Sequence, residues 1–188
     1  MEFPDLTVTL EERASHTVIA EGLICRIKNL FRQEYGSDPE VKCSGSTNKG
    51  TALPEKYFGI DFDLSVRADD GLIRKIACRS DIFEGCQLFS MDFLQAFAKH
   101  MGATYCAGHR LSGKIKCRGF DLSIADEKKD KWKWDYNGSR YLQFSPAQVE
   151  ETKKLKYFLK TFNVYGSELY GIVGPAAELL IFHHGSFD

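Results

Sequence analysis

The chain's 188 residues suffice for one sizeable domain, or for a domain with a small appendage. With 43% apolar and 27% charged residues it has the composition of a globular protein. A formal net charge of −1 excludes a strongly basic surface, so any contact with nucleic acid must come from a local patch.

Fourteen Phe and eight Tyr predict a core rich in aromatic packing. No stretch approaches the roughly 20 apolar residues that span a bilayer, and the N-terminal MEFPDLTVTLEER has no signal-peptide pattern. A cytoplasmic protein with no membrane association is expected. The cysteines at 25, 43, 78, 86, 106 and 117 contain no CxxC pair and have no His at zinc-finger spacing. Reduced, partly buried thiols are expected in place of a structural zinc site.

A first helix is predicted over Leu10 to Tyr35. Thr9 with Glu12 forms a capping box, and Val18, Ile19, Leu23, Ile24, Ile27, Leu30 and Phe31 recur at helical spacing. Gly36-Ser37-Asp38-Pro39 ends it. A strand follows at Glu40 to Ser44 and runs into Gly45-Ser46-Thr47-Asn48-Lys49-Gly50-Thr51; Ile60 to Arg67 then alternates as a second strand. Ser90 caps a helix carrying Phe93, Leu94, Phe97 and Met101. Further strands are expected at Thr104 to Ala107, Lys114 to Cys117 and Phe120 to Ala125. A charged loop near 126–144 is the best domain boundary. After it, Ser145-Pro146 starts a helix with Leu155, Phe158, Leu159 and Phe162 on one stripe. A last helix over Pro175 to His184 is apolar nearly all round and is expected to be buried. The fold class is α+β (mixed α/β), with strands central.

Strand periodicity places Ile60, Phe62, Leu64 and Val66 on one face of the second strand, and Asp61, Asp63 and Ser65 on the other. Two carboxylates on one face repel unless a cation lies between them, and magnesium, a hard ion that takes carboxylate and phosphate oxygens, suits the place. Phe120, Leu122 and Ile124 alternate with Asp121 and Ser123 in the same way. If the two strands pair, Asp121 joins the cluster, and two ions could serve both the attacking hydroxyl and the leaving pyrophosphate. The competing reading is a pair of half-exposed strands with Asp and Ser outward. Gly45-Ser46 tips the balance, because successive backbone N–H groups at a helix start can cradle a phosphate, with the Ser46 hydroxyl adding to it. Gly-Ser alone is weak; strand, Gly-Ser, Lys49-Gly50-Thr51 and Asp-x-Asp in close succession is a strong signal.

Cys43-Ser44-Gly45-Ser46 through Leu53, with Asp61-Phe62-Asp63, resembles the GS…GT…DxD pattern of the DNA polymerase beta-like nucleotidyltransferase superfamily. Within it, Lys154 to Lys160 followed by Val164-Tyr165-Gly166-Ser167-Glu168 resembles the LLKxFLK…YGAE segment of archaeal-type (class I) CCA-adding enzymes. Glu178-Leu179-Leu180-Ile181 and Gly185-Ser186-Phe187 resemble that family's ELL…YGSF ending, and His109 resembles a His found there. The resemblance implies a palm domain over 1–130, with a central mixed sheet flanked by helices, and a helical segment over 131–188 like the start of the second domain. It implies Asp61, Asp63 and Asp121 as catalytic residues and ligands of two Mg²⁺ (or Mn²⁺) ions. It further implies Gly45, Ser46, Lys49, Thr51, Lys156 and Tyr165 at the nucleotide, ATP or CTP. Lys156 as a solvated helix residue and Tyr165 as core are the competing readings. Two departures stand out: the family's Gly-Tyr before ELL is Gly174-Pro175, and its Arg-Thr-x-x-His segment is not recognisable in 131–140, where Arg140 partly substitutes.

Three functions fit these residues. The first is transfer of a nucleoside monophosphate to an RNA 3′-end, tRNA-like, in a minimal form whose chain ends where the family continues into body and tail; a homodimer or partner chain would then supply acceptor binding. The second is transfer to a protein or small-molecule hydroxyl, and the third a non-catalytic nucleotide-binding module. One palm serves all of them. Lys128 to Trp134 interleaves cations with aromatics, as an RNA contact or as a solvated loop anchored by its tryptophans. His183-His184 fits a packing pair better than a metal site.

Overall fold

The structure, a computed structural model, describes residues 2–79, 88–102, 104–107, 110–115, 118–126, 144–166 and 171–187. His109, Lys128 to Trp134 and Arg140 lie outside them, as does nearly all of the expected boundary loop. Among the described residues no helix is long and apolar enough to cross a membrane.

Helix α1 spans Leu10–Tyr35 and has the expected capping box: the Glu12 N–H donates to Thr9 Oγ1 at 3.1 Å, and the Thr9 N–H to the Glu12 carboxylate at 2.8 Å. Gly36, at φ +62°, ends it in the left-handed conformation that glycine accepts without cost. Strand β1 (Glu40–Ser44) leads straight into a short helix α2 (Gly45–Lys49), then β2 (Asp61–Ala68). Helix α3 (Asp70–Ile76) and the small hairpin of β3 (Ala77–Arg79) and β4 (Leu88–Phe89) were not expected. Asp69 caps α3 by accepting from the Leu72 N–H at 2.8 Å, a local bond that sustains a helix too short to show a periodicity.

Ser90 caps α4 (Met91–Met101), and β5 (Thr104–Ala107), β6 (Arg110–Ile115) and β7 (Arg118–Asp126) complete the strands. Strand β6 begins before the expected Lys114 because it lies between β5 and β7. Ladder partners on both sides hold Gly113 extended despite its poor strand propensity. The order in the five-stranded sheet is β1-β2-β7-β6-β5, with β2 and β7 parallel and the other pairs antiparallel.

Phe62, Leu64 and Val66 of β2 and Phe120 and Leu122 of β7 point into the main core. They meet Leu23, Ile27, Leu30 and Phe31 of α1 and Phe93, Phe97 and Met101 of α4. Phe31 stacks on Phe93 with centroids 6.0 Å apart, and Phe97 reaches Phe120 at 6.3 Å. Each such buried side chain contributes roughly 1.5–3 kcal/mol. The helices cover one face of the sheet; Asp61, Asp63, Ser65, Asp121 and Ser123 face the other way by alternation.

Helix α5 (Pro146–Thr161), capped by Ser145 and Gln148, and α6 (Gly174–His184) form a second, smaller cluster around Leu155, Leu159, Ala177 and Ile181. Aromatic edges fasten α5 to the rest: Phe3, Tyr57 and Phe58 all pack on Tyr157, with centroids 5.5–6.3 Å apart. Contrary to the sequence expectation, α6 is not buried all round. It packs mainly on α5, and one neighbour covers only one face, so Leu179, Leu180 and Phe182 are 40%, 41% and 36% exposed.

Candidate active site

Strand pairing brings the three sequence-predicted acids together. Asp63 lies opposite Asp121, and Asp61 opposite Gly119, across the parallel β2–β7 pair. Glycine is required at two points around them. A Cβ on Gly119 would run into Asp61 Oδ1 and stand 3.2 Å from its Cγ. A Cβ on Gly45, whose φ is +73°, would stand 2.6 Å from Asp63 Cγ and 2.8 Å from its Cβ. The carboxylates thus occupy space that two missing side chains provide.

A row of hydroxyls fixes the strands beside the acids. Ser44 Oγ donates to the Asp63 carbonyl at 3.2 Å, Ser65 and Ser123 share a hydrogen bond at 3.1 Å, and Ser123 also donates to the Leu64 carbonyl at 3.3 Å. From β6, Ser112 Oγ donates to Asp121 Oδ1 at 2.7 Å and orients the third carboxylate. Burial, and then the charge of Asp121, push the Asp61 carboxyl above its usual range, while Lys160 and Lys114 act in the opposite sense.

Across a cleft of about 340 Å³, the acids face Lys156, Lys160 and Tyr165; Ser46 and Thr51 also line it. Gly45 and Ser46 open α2, and the Ser46 carbonyl accepts from the N–H groups of Thr51 and Ala52 at 3.0 and 3.2 Å, closing the turn. Lys156 is not a solvated helix residue: it is 3% exposed. Its ammonium donates to Glu178 Oε1 at 2.8 Å, to Thr51 Oγ1 at 3.0 Å and to the Thr51 carbonyl at 3.4 Å. Glu178 also accepts from Thr51 Oγ1 at 2.8 Å and from Lys49 at 2.7 Å. Lys49 is not among the residues lining the cleft. Burial raises the Glu178 carboxyl, but the ammoniums of Lys156 and Lys49 outweigh it and hold the group below the usual glutamate range.

Tyr165 is half-buried: it packs against the second cluster and also lines the cleft. Its hydroxyl is pushed up to about 12 by burial and by the charges of Glu178, Asp63 and Asp61. It passes over Gly174, where a Cβ would come within 2.8 Å of the phenolic oxygen. The Lys160 ammonium lies over the rings of Phe58 and Tyr165, 4.9 and 5.1 Å from their centroids. Burial lowers its pKa, and the charge of Asp61 opposes that.

Four residues here had no role assigned from sequence: Lys160, Glu178, Ser112 and Gly119. Lys160 is legible as the helical i+4 neighbour of Lys156. Glu178 is legible as the single acid in an apolar helix. Ser112 and Gly119 carry no signal until the strand pairing is known.

Among the described residues no group of three or more His, Cys, Asp or Glu side chains is placed to hold a metal ion by itself. Mg²⁺ does not require one. It keeps several waters and is commonly held by one or two carboxylates together with substrate phosphates. An all-oxygen donor set, mutual repulsion at Asp61 and glycine-made space around two of the carboxylates fit such an ion.

This arrangement of sheet and helices is a fold shared with solved RNA terminal uridylyl transferases. A cytoplasmic RNA terminal U-transferase superposes with a TM-score of 0.65 at 12% identity, covering 96% of this chain and 48% of that one. Cid1, an RNA terminal uridylyl transferase, gives 0.64 at 14% identity, covering 93% and 49%. CdnC of E. coli MS115-1, solved in complex with HORMA-deltaN, gives 0.61 at 13% identity, covering 94% and 59%. A mutant of the Cid1 poly(U) polymerase has been solved bound to MgATP, and Cid1 has also been solved with the UTP analogue UMPNPP and with its short product ApU.

In sequence the chain resembles the CCA-adding enzyme of Thermoplasma volcanium, at 29% identity over 88% of this chain. The match spans 36% of that enzyme's length. No family model matches the chain.

Proposed function

We propose that the chain is a Mg²⁺-dependent nucleotidyltransferase that moves a nucleoside monophosphate from ATP or CTP to the 3′-hydroxyl of a tRNA-like RNA. The observation that carries this reading is the placement of Asp61, Asp63 and Asp121 on paired strands, facing a cleft whose opposite wall carries cations. On this reading residues 1–130 form the catalytic unit and 131–188 the start of a second.

Asp61, Asp63 and Asp121 would hold two Mg²⁺ ions (or Mn²⁺), which when bound supply positive charge against the acids and the triphosphate. The Gly45–Ser46 turn receives phosphate oxygens through backbone N–H groups and the Ser46 hydroxyl. Lys160 lies in the same cleft and offers its ammonium to the triphosphate; Tyr165 and Phe58 keep that ammonium partly shielded from water. Asp121, oriented by Ser112, accepts the proton of the acceptor 3′-hydroxyl as its oxygen attacks the α-phosphorus. The bond from α-phosphorus to the bridging oxygen then breaks, and pyrophosphate leaves.

Incubation with Mg²⁺ and each labelled NTP, with and without tRNA lacking its 3′-terminal nucleotides, tests this on a denaturing gel. Addition of C or A is expected. Release of pyrophosphate without RNA extension would move the acceptor to a protein or small-molecule hydroxyl, and failure to release pyrophosphate from any NTP would leave a non-catalytic nucleotide-binding module.

A further inference from the structure

We infer that Glu178 is a positioning residue for the nucleotide cleft: its carboxylate clamps the turn after α2 to α5 and so sets the distance between the phosphate-binding turn and the cationic wall. The inference rests on the nucleotidyltransferase reading of the cleft.

Glu178 lies on α6 and is 2% exposed. Its two oxygens take three donors from two distant parts of the chain. Lys49 and Thr51 come from the turn that closes on Ser46, and Lys156 from α5. An ammonium has three N–H donors. Those of Lys156 have three acceptors, Glu178 Oε1, Thr51 Oγ1 and the Thr51 carbonyl, so this lysine is committed to the clamp. One turn further along α5, Lys160 makes no hydrogen bond or ion pair among the described residues and looks across the cleft at Asp61. The division of labour is therefore a tethering lysine and a ligand-facing lysine on one helix face.

Buried charged groups of this kind are weak sources of stability and strong sources of geometry, because a misplaced partner leaves an unpaired charge away from water. The clamp is not what keeps α5 attached. The aromatic contacts of Phe3, Tyr57 and Phe58 with Tyr157, and of Phe3 with Phe187, do that separately. Loss of the clamp should thus lower stability and alter the cleft, while these contacts keep α5 in place.

The test uses Glu178→Gln and Lys49→Met in the full chain. The second is informative because Lys49 does not line the cleft and donates to the Glu178 carboxylate. Steady-state incorporation from MgATP and MgCTP is measured together with the affinities of the corresponding monophosphates and the melting curves. Both variants are expected to melt cooperatively. KM for the triphosphates should rise roughly tenfold or more in Glu178→Gln and in the same direction in Lys49→Met. Changes in kcat should be smaller, monophosphate affinity should hold, and the double variant should add little to Glu178→Gln. Unchanged KM in both variants, or a fall in kcat alone as from a smaller folded fraction, would overturn the positioning role. If Glu178→Gln does not fold, KM in Lys49→Met decides. Absence of MgATP or MgCTP binding by the wild-type chain is a separate outcome that removes the nucleotidyltransferase reading and the positioning role with it.

Discussion

Gly45→Ala should damage activity far more than stability, and the two losses can be separated by a matched control. Gly45 has φ +73°, a conformation that costs an L-residue roughly 1–2 kcal/mol. At about 2–4 °C per kcal/mol for a chain of this size, that lowers the melting temperature by about 2–8 °C. The added methyl would run into Asp63 Oδ2 and stand 2.6 Å from its Cγ, where ordinary contact begins at 3.4 Å, so the carboxylate must retreat by at least 3.4 − 2.6 = 0.8 Å. Displacement of a reacting group by about 1 Å can cost on the order of a hundredfold in rate. Gly36→Ala is the control: φ is +62° and nothing lies within 4 Å of its added Cβ. Chemical denaturation should show similar destabilisation of both variants, while nucleotide incorporation falls about a hundredfold only in Gly45→Ala. Equal activity in the two would refute the steric link between Gly45 and Asp63.

Asp61→Asn should stabilise the fold at neutral pH while removing turnover. Because burial and the Asp121 charge raise the Asp61 carboxyl, the folded chain holds this proton more tightly than the unfolded one. Ionising it therefore costs stability as pH rises from 3.8 through the raised value, and the cost is complete above that value. Urea titrations should show the variant ahead at pH 7 and level with wild type below pH 3.8; a variant less stable at pH 7 would contradict this. Glu178 has the opposite sign: its lowered carboxyl contributes stability that is present above 4.5 and lost as pH falls through the folded value. Acid unfolding should accordingly be less steep in Glu178→Gln than in wild type. Millimolar Mg²⁺ should raise the melting temperature of wild type, reversibly with chelator, and not that of Asp61→Asn, since a ligand that binds only the folded state stabilises it by mass action. Ser112→Ala should lower kcat about tenfold with little change in KM for the nucleotide, because the lost bond orients Asp121 alone.

What could be read from the sequence was what local chemistry determines. Thr9 and Glu12 cap α1 through bonds three residues apart, and the alternation around Asp61 and Asp121 gives both faces of β2 and β7 directly. Elements whose stability comes from neighbours were less legible. Strand β6 could be placed only once β5 and β7 were known to flank it, and α6 looked like a buried helix because its sequence does not reveal how many neighbours it has. Lys156 shows the limit at the site. Its place at the cleft accords with the segment it belongs to, but its partners, Thr51 and Glu178, lie 105 and 22 residues away, and no periodicity connects them. Gly119 is similar: the need for glycine there arises from Asp61 on another strand.

The central claim is that three carboxylates on two paired strands perform nucleotidyl transfer. Its most direct test compares MgNTP binding with single-turnover pyrophosphate release in Asp61→Asn, Asp63→Asn and Asp121→Asn. Asp121→Asn should bind the nucleotide nearly as wild type does and release pyrophosphate at least a thousandfold more slowly, on the order expected for loss of a positioned base and cation ligand. Asp61→Asn and Asp63→Asn should lose tight Mg²⁺-dependent binding as well as release. Release within tenfold of wild type in any of the three would contradict the assignment.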